Sequence, residues 1–156
     1  MFDMGRTFFL ALSISIITLS PMAFAGLGQD ESSCTNEASL FKAKSHDVTN
    51  IKSYRVHTIT TQNGMIIKEY VASGGIVFGV SWHGAPFHPN FDNLFGKHFA
   101  EYSAHAHEMP NIKGHRFNTL KTENLTIEMG GHMRSMSGRA YAASLIPAGV
   151  TSDEIQ

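Results

Sequence analysis

Nine histidines in 156 residues make imidazole the most conspicuous chemical resource of this chain. Three side chains combine it with a carboxylate at a useful spacing. His98, Glu101 and His105 stand at i, i+3 and i+7, which on a helix keeps them within about 60° of one another. Two imidazoles and a carboxylate so placed suit zinc or copper, with His88 or His107 nearby as a further ligand. The spacing lacks the compactness of His-Glu-x-x-His. The plainer reading makes His98 a border histidine bonded to a backbone carbonyl, with His105 and His107 at a surface helix end.

Other reactive types are sparse. Trp82-His83-Gly84 ends an apolar run before Pro86 and Pro89 and either lines a pocket or closes the core. Gly130-Gly131-His132-Met133-Arg134, with Arg139 beyond, suggests an anion site. On a strand, however, residues 134 and 139 point to opposite faces, which favours a hairpin with solvated arginines. The single cysteine, Cys34, lies in the polar stretch Gln29–Asn36 and reads as an exposed thiol on a tail, not placed for a lipid anchor. Gly79–Gly84 is one residue too long for a Gly-x-Ser-x-Gly elbow. Phosphate-loop and dinucleotide fingerprints are absent, as is a standout carboxylate pair for glycoside chemistry.

Elements must hold these residues in place, and the chain begins with one to be set aside. Arg6, an apolar run from Thr7 to Leu19, Pro21 and Ala23-Phe24-Ala25 form a secretory signal peptide over residues 1–25. The run falls short of the roughly 20 residues of a membrane span. A polar, partly mobile segment is expected at 26–50, with a short helix over Glu37–Lys44 and turns over Ser45–Asn50. A single α+β domain is expected at 51–156. A net charge of −1 offers no basic stripe for nucleic acid.

Alternation over Lys52–Thr61, the Asn63-Gly64 turn, Met65–Ala72 and Gly74-Gly75 predict an antiparallel meander. Its third strand sets Ile76, Phe78, Val80 and Trp82 on one face, each worth about 1.5–3 kcal/mol when buried. Asn90 caps a helix carrying Phe91, Leu94, Phe95, Phe99 and Tyr102 on one side, running to about Glu108 before Pro110. Strands return at His115–Lys121, Leu125–Met129 and His132–Tyr141, turning at Gly130-Gly131. Leu145–Val150 packs on the domain edge. The expected architecture is β-β-β-α-β-β-β, antiparallel strands against one amphipathic helix.

Glu69-Tyr70-Val71, Gly75–Trp82, Leu94-Phe95-Gly96, Gly130–Arg134, Gly138-Arg139-Ala140 and Leu145–Val150 together resemble the domain of unknown function 2844 family of exported bacterial proteins. The resemblance spans about Leu27 to the C-terminus. It implies one exported domain without an assigned activity, cofactor or catalytic residue. The histidine content and Lys97-His98 depart from the pattern. The leading expectation is a non-catalytic binding or assembly module, periplasmic or extracellular, with an envelope or secreted protein as partner and no cofactor. A zinc or copper protein using His98, Glu101 and His105 is the alternative. A hydrolase with an unrecognised site comes last.

Overall fold

The computed structural model describes residues 26–85, 88–108, 117–132 and 135–156. Seven antiparallel strands form one sheet: β1 (Ala43–Asn50), β2 (Tyr54–Thr61), β3 (Ile66–Ala72), β4 (Val77–Ala85), β5 (Phe117–Lys121), β6 (Thr126–His132) and β7 (Ser135–Tyr141). Their order is β1-β2-β3-β4-β7-β6-β5, two meanders joined through the β4–β7 pair. Among the described residues three short α-helices accompany them: α1 (Ser32–Leu40), α2 (Phe91–Phe95) and α3 (Phe99–His105). The class is α+β, as expected, with one strand more than the sequence suggested.

The extra strand is β1. Ser45–Asn50 looks turn-rich because an edge strand that buries little beyond Ala43 and His46 needs no apolar alternation. The two hairpins at Asn63-Gly64 and Gly74-Gly75 form where expected, with Gly64 and Gly75 at φ of 84° and 82°. The turn foreseen at Gly130-Gly131 does not form there. Both glycines pair with β7, opposite Ser137 and Met136, so β6 continues to His132.

The helices cover one face of the sheet. Leu27, Cys34, Ala38, Leu94 and Phe95 meet Ile59, Ile67, Val71, Val77, Val80 and Trp82 in the larger core cluster. Asn90 caps α2 as predicted, its Oδ1 accepting the N–H groups of Asp92 and Asn93. The expected continuous helix is interrupted. Gly96 adopts φ 50° and ψ −124°, and a 3₁₀ turn, Gly96–His98, separates α2 from α3.

The second face carries a smaller cluster of Tyr54, Tyr70, Phe78 and Ile155, with Leu145, Ile146 and Val150 packed against it. Phe78 was expected beside Val80 and Trp82. Tyr70 pairs with Gly79 and Val71 with Val77, leaving Phe78 as the extra residue of a β-bulge that turns it to the opposite face. The last residues are fastened across this face. Tyr54 Oη donates to Glu154 (3.0 Å), Tyr70 Oη donates to the Gln156 carbonyl (2.6 Å), and Ile155 is fully buried. Leu145, Ile146 and Val150 thus pack over a face of the sheet, where the domain edge was expected. Among the described residues, no helix is long and apolar enough to cross a membrane.

Candidate functional site

The predicted ligand trio is only partly assembled. His98 ends the 3₁₀ turn and brings Nδ1 to 3.7 Å from Oε2 of Glu101. His105 closes α3 and bonds through Nδ1 to the carbonyl of Glu101 at 2.9 Å. It is therefore His105, rather than His98, whose ring is tied to the backbone. Hydrogen bonds from Thr122 and the Asn124 N–H hold Glu101 below the ordinary carboxylate range. Burial, with Lys97 alongside, lowers His98, and its Nε2 is buried without a hydrogen-bond partner among the described residues. His88 lies against the ring of Phe91, and His107 is exposed. No group of three or more His, Cys, Asp or Glu is placed to hold a metal among the described residues.

Trp82 closes the core, 2% exposed, with Phe91 edge-on at 5.3 Å. His83 is exposed and lines a shallow depression of about 440 Å³ with Phe117, Ser137 and Arg139. Arg139 is not a solvated arginine. Its Nε donates to Glu128 at 2.8 Å and a guanidinium nitrogen donates to the Ser152 carbonyl at 2.9 Å. Arg134 lies outside the described residues.

The densest cluster of titratable groups was not foreseen at all. It lies between α1 and the first three strands. Glu31, just before α1, receives Arg55 in a bidentate pair, with Nε at 2.7 Å from Oε1, and His57 Nε2 at 2.9 Å. His57 Nδ1 meets His46 Nε2 at 2.9 Å, so two imidazoles lead from the edge strand to Glu31. These contacts pull Glu31 down to about 2, the Arg55 bond foremost.

Deeper in the same seam, Cys34 and Glu37 of α1 meet Glu69 of β3. All three have no exposed surface. Cys34 is thus a core residue, correcting its assignment to an exposed tail; Gln29–Asn36 packs because it contains the first turns of α1. No partner outside this trio reaches the four carboxyl oxygens of Glu37 and Glu69 among the described residues. A proton shared between the carboxyls, with the thiol alongside, bonds one acid to the other. Burial, reinforced by Glu69, pushes Glu37 up to about 10; burial also raises Glu69 and the Cys34 thiol. One sequence signal pointed here: Ile67, Glu69 and Val71 share the period-two face that builds the core. Chemically, the cluster clamps α1 to the sheet, since solvent is shut out of the acid pair and the thiol is held protonated.

The family model for a protein of unknown function (DUF2844) matches residues 23–155. No curated protein and no solved structure matches the chain. The matched span takes in every described strand and helix, and the chain belongs to the DUF2844 family.

Proposed function

We propose that this protein is a non-catalytic binding or assembly module of the bacterial cell envelope, exported by the leader at residues 1–25 and engaging a protein partner through its sheet edge. One observation carries the reading. Among the described residues β1 pairs with β2 alone, and its residues Lys44, Ser45, Asp47, Val48, Thr49 and Asn50 are exposed. An eight-residue edge offers a partner strand a row of main-chain donors and acceptors. The non-catalytic part of the reading is supported by where these titratable groups lie: the acid pair and thiol are sealed, and Glu31 and Arg139 are engaged in ion pairs.

Successive strand residues direct their N–H groups to opposite edges, so proline at only one of Asp47 and Val48 blocks the outer edge while sparing the β2 pairing. The variant that melts closer to the native temperature is the probe. Envelope proteins captured by the native chain and lost with that variant support edge recognition. Recovery of the bait alone, or equal capture by both, removes it.

The second reading, a zinc or copper site on His98, Glu101 and His105, draws on His98, whose Nδ1 lies 3.7 Å from Glu101 and whose buried Nε2 has no hydrogen-bond partner among the described residues. A metal at a hundred times its dissociation constant adds about 2.7 kcal/mol of stability. A saturable melting shift that disappears in His98→Ala/His105→Ala supports it, and an unchanged melt sinks it.

A further inference from the structure

We propose that the cleft between the end of α1, the β2–β3 turn and the start of α2 binds a carboxylate carried on an apolar body. The inference is independent of the sheet-edge reading. The cleft encloses about 480 Å³, within the roughly 300–1,000 Å³ typical of small-molecule sites. Met65 and Pro89 are buried at its base, Phe41 is half-buried, and Leu40 is held 57% exposed along its wall. That is apolar surface for a ligand body to cover.

Thr61, Gln62, His88 and Asn93 also line it, and two further amides present only their donor ends. Asn63 Oδ1 accepts the Thr61 hydroxyl and the Met65 N–H (3.5 Å), and Asn90 Oδ1 accepts the N–H groups of Asp92 (2.9 Å) and Asn93 (3.4 Å). The fold thus occupies the acceptor end of both amides. Both Nδ2 groups lack a partner among the described residues, as does the ammonium of Lys42, the one formal cation of the lining. Aspartate and glutamate are missing from the described lining residues. Two free amide donors and one cation complement an acceptor with one negative charge. A lone lysine and apolar walls fit a monoanionic carboxylate better than a phosphate dianion.

The backbone of Lys42 gives independent support. It has φ 51°, the only positive value at a non-glycine position among the described residues. Lys42 follows the C-cap of α1 and its N–H bonds to the Ser39 carbonyl at 3.1 Å. Glycine is the residue best suited to that position, and a side chain there is strained. The chain nevertheless places a lysine at this spot, and what it has that glycine lacks is an ammonium group at the cleft. Strain retained beside a donor-lined cleft marks a site.

The test is calorimetric titration of the chain with octanoate, octanol, inorganic phosphate, and a leucine-ended tripeptide as free acid and as amide. Saturable octanoate binding, at least ten-fold tighter than octanol or phosphate, is expected. Lys42→Gly should melt about 3–6 °C higher yet bind octanoate at least ten-fold more weakly. Lys42→Arg retains binding. Asn90→Asp keeps the helix cap and its melting temperature while exchanging an amide donor for a repelling carboxylate, and also loses at least ten-fold. A peptide acid that outbinds octanoate identifies a protein C-terminus as the source; the reverse identifies a free acid. Equal binding of octanoate and octanol, phosphate binding as tight as octanoate, no binding at millimolar probe, or native affinity in both Lys42→Gly and Asn90→Asp overturns the proposal.

Discussion

The acid pair beneath α1 makes stability depend on pH in a direction opposite to that of ordinary salt-bridged carboxylates. Glu37 lies at about 10 in the folded chain against 4.5 when free, so the folded state holds a proton that the unfolded state gives up. Its stabilisation is complete below about pH 4.5 and is drawn down as pH rises towards 10. One retained proton costs about 1.4 kcal/mol per pH unit across that interval. Other groups complicate part of it. Burial and the His57 charge lower His46, which acts with the opposite sign below about pH 6.5, and Cys34 enters only near 9, where the unfolded thiol ionises. Between pH 6.5 and 8.5 the acid pair stands alone in the seam, and the native chain should lose about 3 kcal/mol. Against a total of roughly 5–15 kcal/mol this is a large fraction. Urea unfolding followed by Trp82, the one tryptophan and 2% exposed, measures it at each pH. Glu37→Gln keeps the shape, removes the titrating proton and leaves an amide to donate to Glu69. Burial still raises Glu69 in that variant, so its stability should fall less steeply across the same window, and Glu37→Gln/Glu69→Gln should be level across it. A native chain whose stability changes by less than about 1 kcal/mol, or a slope that survives in the double variant, would refute the shared proton.

On the acid side the sign reverses. Glu31, drawn down to about 2, stabilises above pH 4.5 and loses that contribution as pH falls towards 2, so Glu31→Gln should cost about 1–2 kcal/mol at pH 7 after solvent screening and flatten the acid limb of urea melts. Cys34, fully buried and pushed up by burial, should react with a thiol reagent only as fast as the chain unfolds; a burst of labelling in the native state would contradict its place in the core. Gly138→Ala sets a methyl 2.3 Å from Trp82 Cζ2 and 2.8 Å from the Glu128 carbonyl, against an indole held by Phe91 and Phe95. Calorimetry should show about 1–3 kcal/mol lost, with Trp82 emission shifted to the red, and an unperturbed melt would mean the indole has room to move.

What the sequence disclosed, and what it withheld, divides by whether the cause is local. Asn63-Gly64 and Gly74-Gly75 turn the chain by their own backbone preferences, and Asn90 caps α2 through bonds two and three residues away, so all were legible. The His98–Glu101 approach follows from i, i+3 spacing and was legible too. The bulge at Phe78 arises in its pairing with β3, and β1 belongs to the sheet only through β2; neither leaves a trace in its own residues. The cleft draws Lys42, Asn63 and Asn90 from three separated segments, beyond the reach of any spacing rule. The helix expected over Glu37–Lys44 overlaps α1 only at Glu37–Leu40, and the first turns of α1 hid for a different reason. Its sequence, Ser-Ser-Cys-Thr-Asn-Glu-Ala-Ser-Leu, has no apolar stripe, and a reading that treats glutamate as ionised sends such a segment into water. Ionisation is itself an outcome of folding, however. Two carboxyls facing each other out of water keep a proton, and a protonated pair can enter a core that would exclude two carboxylates. The polarity assigned to Glu37 and Glu69 from their letters was that of the unfolded chain, and the docking of α1 depends on the protonation state that only the folded chain reaches.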